Sequence, residues 1–372
     1  CATDGSMQVV NLQYAQIENN KIPNSGFVDW GWQKPGYHLG IRRIILPDNI
    51  TEFGEFAFYG LTLETINIPS SLRKLGKNCF DENRWLSVNP LIIPEGVTEI
   101  PTQCFESCYK LKKVVLPSTI KTIGIFAFFD SSVDDMNFPE GLDSIGYLSM
   151  HGTRLTEVVL PKTIKKIGFE AFGSNSKLKR VVLPEGLTEI PDKLFSECIE
   201  LEKIVIPESV TKINTEAFSD CLKLKTNLPP KLKWIGDGAF RASGLTYIQL
   251  PESVTTVGEH AFAECTSLSK AKLHAKLSNV AKGLFEGCSA LTTIQNSKIT
   301  EVGDNAFRGC KALKFTLSGG VTHVGDNAFQ GCESLEIAYL TNTVTYLGNH
   351  AFDGCSSLSM IFIKSNIETL GE

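Results

Sequence analysis

A phenylalanine returns every 22 to 25 residues through most of this chain: Phe58, Phe80, Phe105 and Phe128, then Phe172, Phe195, Phe218, Phe240, Phe262, Phe285, Phe307, Phe329 and Phe352. Only Met150 interrupts the series, and it sits in register. A fixed period of this size is the mark of a stacked-repeat solenoid, in which each unit buries its apolar face only against its neighbours. Such an array lengthens one core instead of founding new globules, so the 372 residues are read as one repeat domain.

Aligned on the phenylalanines, a typical unit is LEKIVIPESVTKINTEAFSDC, from Leu201 to Cys221. The pattern is L-x-x-I-x-L-P-x-x-V-T-x-I-G-x-x-A-F-x-x-C. Ile204 and Ile206 flank Val205 with the period of two that places alternate side chains on one buried face of a short strand. Pro207 then stops the strand, because proline has no N–H to give a ladder. Successive strands are expected to pair in parallel, about 4.8 Å apart, into one long sheet. V-T-x-I-G predicts a short second strand, and G-x-x-A-F-x-x-C predicts one or two helical turns on the opposite side, with the Phe pointing inward. The small residue before the Phe, as in Ala57, Ala127 and Ala217, suits close packing of that turn. The glycine four residues before the Phe is not read as a left-handed position, because Pro101 and Pro191 fill the same slot and proline holds φ near −65°.

The units depart from the pattern at informative places. The strand-ending proline persists from Pro47 to Pro251, then gives way to His274, Asn296, Ser318, Thr341 and Lys364. The strand segment is one residue short between Leu224 and Pro229, Leu291 and Asn296, and Leu313 and Ser318, which predicts local irregularities in the sheet. Residues 1–40 do not fit the repeat. They are read as a tether and cap, with Met7 to Ile17 as a capping strand and Phe27, Trp30, Trp32 and Tyr37 covering the first repeat, since an open solenoid end leaves apolar surface and a strand edge facing water. Residues 41–372 make about 14 units and a partial fifteenth, whose end is expected to be covered by a partner or by further chain.

Basic and acidic residues number 36 and 41, a balance unlike the concentrated positive surface that nucleic acid requires. No apolar run reaches the roughly 18 to 20 residues that cross a bilayer. Cys1, followed by the small polar ATDGSM, is the candidate lipid-anchor residue, and a lipid there is the one expected link to a membrane. The other cysteines recur at fixed repeat positions, most of them three residues after the Phe, as at Cys108, Cys198, Cys221 and Cys265. They are read as free, buried packing residues, because a role repeated once per unit belongs to the unit. Histidines are scattered, and His260 and His350, which share a repeat position, lie four units apart. No G-x-S-x-G, H-E-x-x-H, phosphate loop, dinucleotide fingerprint or calcium loop occurs. The expectation is a protein without catalytic residues, cofactor or metal.

The recurring strand, proline, I-G and A-F-x-x-C, as in LPEGLTEIPDKLFSEC and LPESVTTVGEHAFAEC, resembles the BspA-like leucine-rich repeats of bacterial surface antigens over about residues 41–372. The resemblance implies an α/β repeat solenoid, a right-handed coil with one long parallel sheet, in a cell-surface, lipid-anchored or secreted protein that takes part in adhesion or host-protein binding. It transfers no catalytic residues and names no ligand.

The outward strand positions are the candidate ligand surface. They comprise the charged pairs Arg42/Arg43, Lys112/Lys113, Asp134/Asp135 and Lys179/Arg180, beside an apolar lane of Ile45, Ile92, Val115, Val159, Val182 and Val205, with Tyr247, Tyr339 and Phe362 on the same face. The alternative for that lane is the plain preference of β-branched residues for strands. The leading reading is binding of a protein, such as an extracellular-matrix protein of a host. The other is a surface lipoprotein that captures glycan by stacking Trp30, Trp32 and Tyr37 on sugar rings.

Overall fold

The structure is a computed structural model and describes residues 8–27, 40–274, 276–295, 298–314, 320–340, 342–363 and 367–372. Two compact units divide it, Cys1–Pro184 and Glu185–Glu372. Each is a stack of coils built on the repeat, and the described strands form two kinds of parallel ladder.

In Cys1–Pro184 the first ladder uses the strand before the proline. Val9–Asn11 pairs with Arg43–Ile45, which pairs with Thr65–Ile66. Leu91–Ile92, Lys113–Val115 and Asp135–Met136 form a second group, and Glu157–Val159 pairs with Arg180–Val182. The ladder is therefore a succession of short sheets and not one continuous sheet. After the two-residue strands Thr65–Ile66 and Asp135–Met136, a side chain takes over the next ladder bonds. Asn67 accepts from the Leu46 N–H and donates to the Leu46 carbonyl, and Asn137 does the same for Leu116. The second ladder comes from V-T-x-I, as in Glu99–Ile100, Thr122–Ile123, Ser144–Ile145 and Lys166–Ile167.

In Glu185–Glu372 the first ladder pairs Tyr247–Gln249, Lys270–Lys272 and Thr293–Gln295 in register, and Ile337–Leu340 with Met360–Ile363. The short segment from Leu224 to Pro229 forms no strand, and a single bridge links Lys203 to Lys225. The short segment from Leu291 to Asn296 does not behave as expected. Thr293–Gln295 is a regular strand there, because Leu291 and Ile294 keep their inward positions. Part of the third short segment lies outside the described residues.

The aromatic column is present in both units. Phe27, Phe58, Phe80, Phe105 and Phe128 stack in turn at 5.0 to 5.3 Å between centroids. Met150 is wholly buried at its place in the series. From Phe195 to Phe352 the rings stack at 5.2 to 6.0 Å, with interplanar angles of 18° or less. A side chain repeated at one position of identical coils meets its own kind at the coil spacing, which suits offset stacking.

The expected helical turns are not there, and the only helix among the described residues is the 3-10 turn Glu18–Asn20. Two residues before the Phe and two after it the backbone is left-handed, as at Phe56 and Gly60, Asn78 and Glu82, or His260 and Glu264. An α-helix cannot continue through such residues. The N–H groups of Phe56, Phe58 and Gly60 donate across to the carbonyls of Lys77, Cys79 and Asp81 in the next coil, each at 2.9 Å, while Ala57 and Tyr59 close tight turns on Gly54 and Phe56. Backbone bonds that a helix would satisfy internally are spent between coils, and this joins the stack on its turn side as the ladders join it elsewhere.

All ten described cysteines are buried, and none of them forms a disulfide. They do more than fill space. Each thiol of Cys108, Cys221, Cys265, Cys288, Cys310, Cys332 and Cys355 donates to the carbonyl of the Phe in the preceding coil, at 3.1 to 3.4 Å. Asn83 and Asn175 take the same position in their coils and donate amide N–H to the carbonyls of Phe58 and Met150. Burial drives the thiols of Cys108, Cys221 and Cys310 well above the ordinary range, so they stay protonated as donors.

One buried acid on the turn side couples stability to pH. Asp81 is pushed up to about 7 by burial, against the Asn78 amide that donates to it at 3.0 Å, and with the negative charges of Glu106 and Glu82 adding to the rise. A carboxyl whose folded pKa exceeds its unfolded value favours the folded state at low pH, and that contribution fades as pH climbs through the folded value. Thermal melting should therefore occur at higher temperature at pH 5 than at pH 8, and Asp81→Asn should raise the pH 8 midpoint and flatten the difference. An unaltered pH dependence in the variant would remove Asp81 as its source.

Candidate functional site

The outward face of the first ladder carries the first and third residues of each three-residue strand, because the middle residue points into the core. In Lys113–Val115, for example, Val114 is buried, Lys113 is exposed and Val115 is half-buried. The structure places the candidate residues of this face in two differently charged settings.

In Cys1–Pro184 four of the cations meet carboxylates of the adjacent coil. Arg42 pairs with Glu64 at 3.2 Å, Lys112 lies 3.9 Å from Asp134, Lys113 pairs with Asp135 and Arg180 pairs with Glu157. The doublets Lys112/Lys113 and Asp134/Asp135 are thus two halves of one cross-coil arrangement. Arg43 and Lys179 are exposed. Pairs of this kind between exposed groups contribute little stability, but they cancel charge locally. Beside them runs the apolar lane, with Ile45, Val115 and Val182 half-buried, Ile92 57% exposed and Val159 49% exposed. Val159 and Val182 are direct ladder partners.

In Glu185–Glu372 the same positions carry Lys203 and Val205, then Lys225, then Tyr247 and Gln249, Lys270 and Lys272, and Thr293 and Gln295. No strand residue in this run is acidic. Val205 is 77% exposed, the largest exposure among the valines of the lane. Where the strand fails at Lys225, a depression of about 340 Å³ opens, lined by Thr226, Asn227, Leu228, Pro230, Tyr247 and Gln249. The Tyr247 hydroxyl donates to the Gln249 side-chain carbonyl at 3.0 Å, which holds ring and amide together at the rim. Tyr339 stacks on Phe362 at 4.9 Å further along the unit. Lysines 203, 225, 270 and 272 were not among the residues singled out from the sequence, although the missing residue between Leu224 and Pro229 and the absence of acids from these strands were both visible there.

Cys1, Trp30, Trp32 and Tyr37 lie outside the described residues. Among the described residues, no three histidine, cysteine or acidic side chains converge as a metal site. No helix among them is long and apolar enough to cross a membrane.

Stacked coils with short parallel strands, proline-ended in most units, and a buried aromatic column define a parallel β-solenoid of the leucine-rich-repeat class. The chain belongs to the BspA type leucine rich repeat region family, whose profile matches residues 37–153, 98–225, 225–334 and 295–372. No curated protein matches the sequence. Among solved structures, it is similar to a leucine-rich repeat protein from Bacteroides ovatus, at 28% identity and a TM-score of 0.74, covering 90% of this chain and 84% of that one. The fold is shared with a leucine-rich repeat protein from Eubacterium ventriosum, at 20% identity and a TM-score of 0.53 over 88% of this chain and 84% of that one. It is shared also with the pneumococcal vaccine antigen PcpA, at 18% identity and a TM-score of 0.54 over 100% and 91% of the two chains.

Proposed function

We propose that this protein is a non-enzymatic bacterial surface or secreted binding protein that recognises a macromolecular ligand through the outward face of its first ladder. The observation that carries the reading is the lane of branched side chains left in water on that face of Cys1–Pro184, with Ile92 at 57% and Val159 at 49% exposure, bordered by charged residues; Val205, at 77%, continues the pattern in the sequence of Glu185–Glu372. Strand preference accounts for valine at such positions, but a row of exposed apolar side chains beside ordered charges is also what a protein partner covers. Family membership supports the same reading, since a repeat framework presents broad surfaces to partners.

The test is a binding panel of extracellular-matrix proteins and glycans against the purified chain and two variants, Val159→Asp and Val205→Asp. Each places a charge in the lane without touching the core, and each should weaken binding about tenfold or more if the lane is desolvated in the complex. Binding that survives both substitutions would remove the lane from the interface.

A further inference from the structure

The lysines of Glu185–Glu372 stand in an arrangement that folding alone disfavours. Lys203 and Lys225 are direct partners in the parallel bridge, so two positive charges face each other on adjacent coils. Like charges so placed are destabilising, and in Cys1–Pro184 the corresponding Lys113 and Arg180 meet carboxylates, while Arg43 faces the neutral Thr65. Lys270 and Lys272 emerge from the same face of one strand, Lys270 in register with Tyr247 and Lys272 with Gln249. Glu202, on the residue before the strand, is the nearest carboxylate in sequence, and its charge acts on Lys223. Lys223 is itself paired with Glu200 at 2.7 Å. None of the four lysines makes a described ion pair, in a chain whose formal net charge is −5. A local departure from the charge balance kept elsewhere points to a partner that supplies the missing anions.

The depression between these lysines has a second, independent character. Its rim offers an exposed aromatic ring, and its lining offers a hydroxyl and two carboxamides, from Tyr247, Thr226, Asn227 and Gln249. A flat ring covers the apolar C–H face of a pyranose, and planar amides and hydroxyls pair with its ring hydroxyls. Lys225 and Lys270, two coils apart, stand roughly 10 Å from each other by the strand spacing, on either side of the ring. A polymer with a hydrophobic sugar face and an anionic group at regular intervals meets all of these features at once. An acidic peptide meets only the charges.

We propose that this strip, Lys203, Lys225, Lys270 and Lys272 around the Tyr247 depression, binds an anionic polysaccharide, with sulfate or carboxylate groups on the lysines and one sugar ring on Tyr247. The proposal rests on the reading of the first-ladder face as a binding surface and names the ligand class for one part of it.

Calorimetric titration of the full chain with heparin, hyaluronate, neutral dextran and polyglutamate tests it, with heparin and hyaluronate separating sulfate from carboxylate recognition. The chain should bind at least one of the two acidic glycans and not dextran, with affinity that falls as salt is raised. Lys225→Gln with Lys270→Gln should weaken that binding about tenfold or more, since both charges are then lost from one contact. Tyr247→Ala should weaken it about fivefold or more while leaving the salt dependence unchanged, because it removes stacking and no charge. Lys113→Gln, in the paired setting, should leave it unchanged. Circular dichroism of each variant confirms that the coil stack is retained. No binding to either acidic glycan at low salt would overturn the proposal, as would polyglutamate binding of equal strength that is indifferent to Tyr247→Ala. Loss of matrix-protein binding in Val205→Asp alongside absent glycan binding would leave the surface reading standing and this one refuted.

Discussion

Phe218→Ala should lower the stability of the protein by about 3 to 5 kcal/mol, the range for emptying a fully buried aromatic site. The Phe218 ring is wholly buried and lies between two others, 5.7 Å from Phe195 and 5.3 Å from Phe240. Its removal therefore opens a void with an aromatic face on each side. The backbone cannot collapse into that void, because the Phe218 N–H is bonded to the Ala239 carbonyl in the next coil at 2.8 Å, and the Ala217 carbonyl accepts from Phe195. Phe352→Ala is the internal comparison. That ring stacks on Phe329 at 5.3 Å but is partly exposed, so water fills part of the space and the loss should be distinctly smaller. Urea denaturation followed by circular dichroism measures both, and a loss under about 1 kcal/mol for Phe218→Ala would mean that the ring is not an internal rung of the stack.

Gly76→Ala should be nearly as damaging, for a steric reason alone. A Cβ at Gly76 would stand 2.3 Å from both the carbonyl carbon and the carbonyl oxygen of Gly54 in the preceding coil. Those atoms belong to backbone and cannot swing aside. In an open site Gly→Ala stabilises by about 0.4 to 1 kcal/mol through the unfolded chain, so the sign of the effect is itself diagnostic. Here the expected result is a loss of more than about 2 kcal/mol, as for overpacking in a rigid core. Gly60→Ala separates this from backbone conformation. Gly60 is left-handed, with φ of 64°, but an added Cβ meets nothing within 4 Å. It should cost only about 1 to 2 kcal/mol of backbone strain. Coils that carry Glu82, Ser107 or Asp130 at the equivalent place already bear that conformation. A neutral Gly76→Ala in thermal melts would show that the coils do not approach as closely as described.

Reading the sequence went furthest where one residue type repeats at one position. The Phe series, the alternation around Ile204 and the strand-ending prolines each carry a single physical meaning, and all three appear in the coils. The glycine slot was legible only as not left-handed, because Pro101 and Pro191 share it; at Gly76 the structure adds a close approach to the Gly54 carbonyl of the preceding coil. The turn around A-F-x-x-C was not legible. Its left-handed positions are filled by Phe56, Leu148 and Glu170 as well as by glycine and asparagine, so composition does not betray them. The spacing of A-F-x-x-C fits one turn of helix equally well. What excludes helix is the use of the Phe N–H groups between coils, a fact about neighbours and not about the segment. The cysteine spacing predicts packing residues, and the donor role depends on the Phe carbonyl of the preceding coil, which only the coil stack brings within reach.

The candidate surface divides the same way. The sequence by itself determined the repeat, the coil stack, the inward column and the set of residues that face outward on the first ladder, because period and alternation act within a unit. Only the tertiary structure decided which outward charges meet. Arg180 and Glu157, 23 residues apart, neutralise each other because the coils stack in register, whereas Lys203 and Lys225 are brought face to face by the same rule. Charge interactions fall off within a few ångströms in water, so their outcome depends on which side chains the stacking sets side by side, and a linear pattern holds that information only after the register is known.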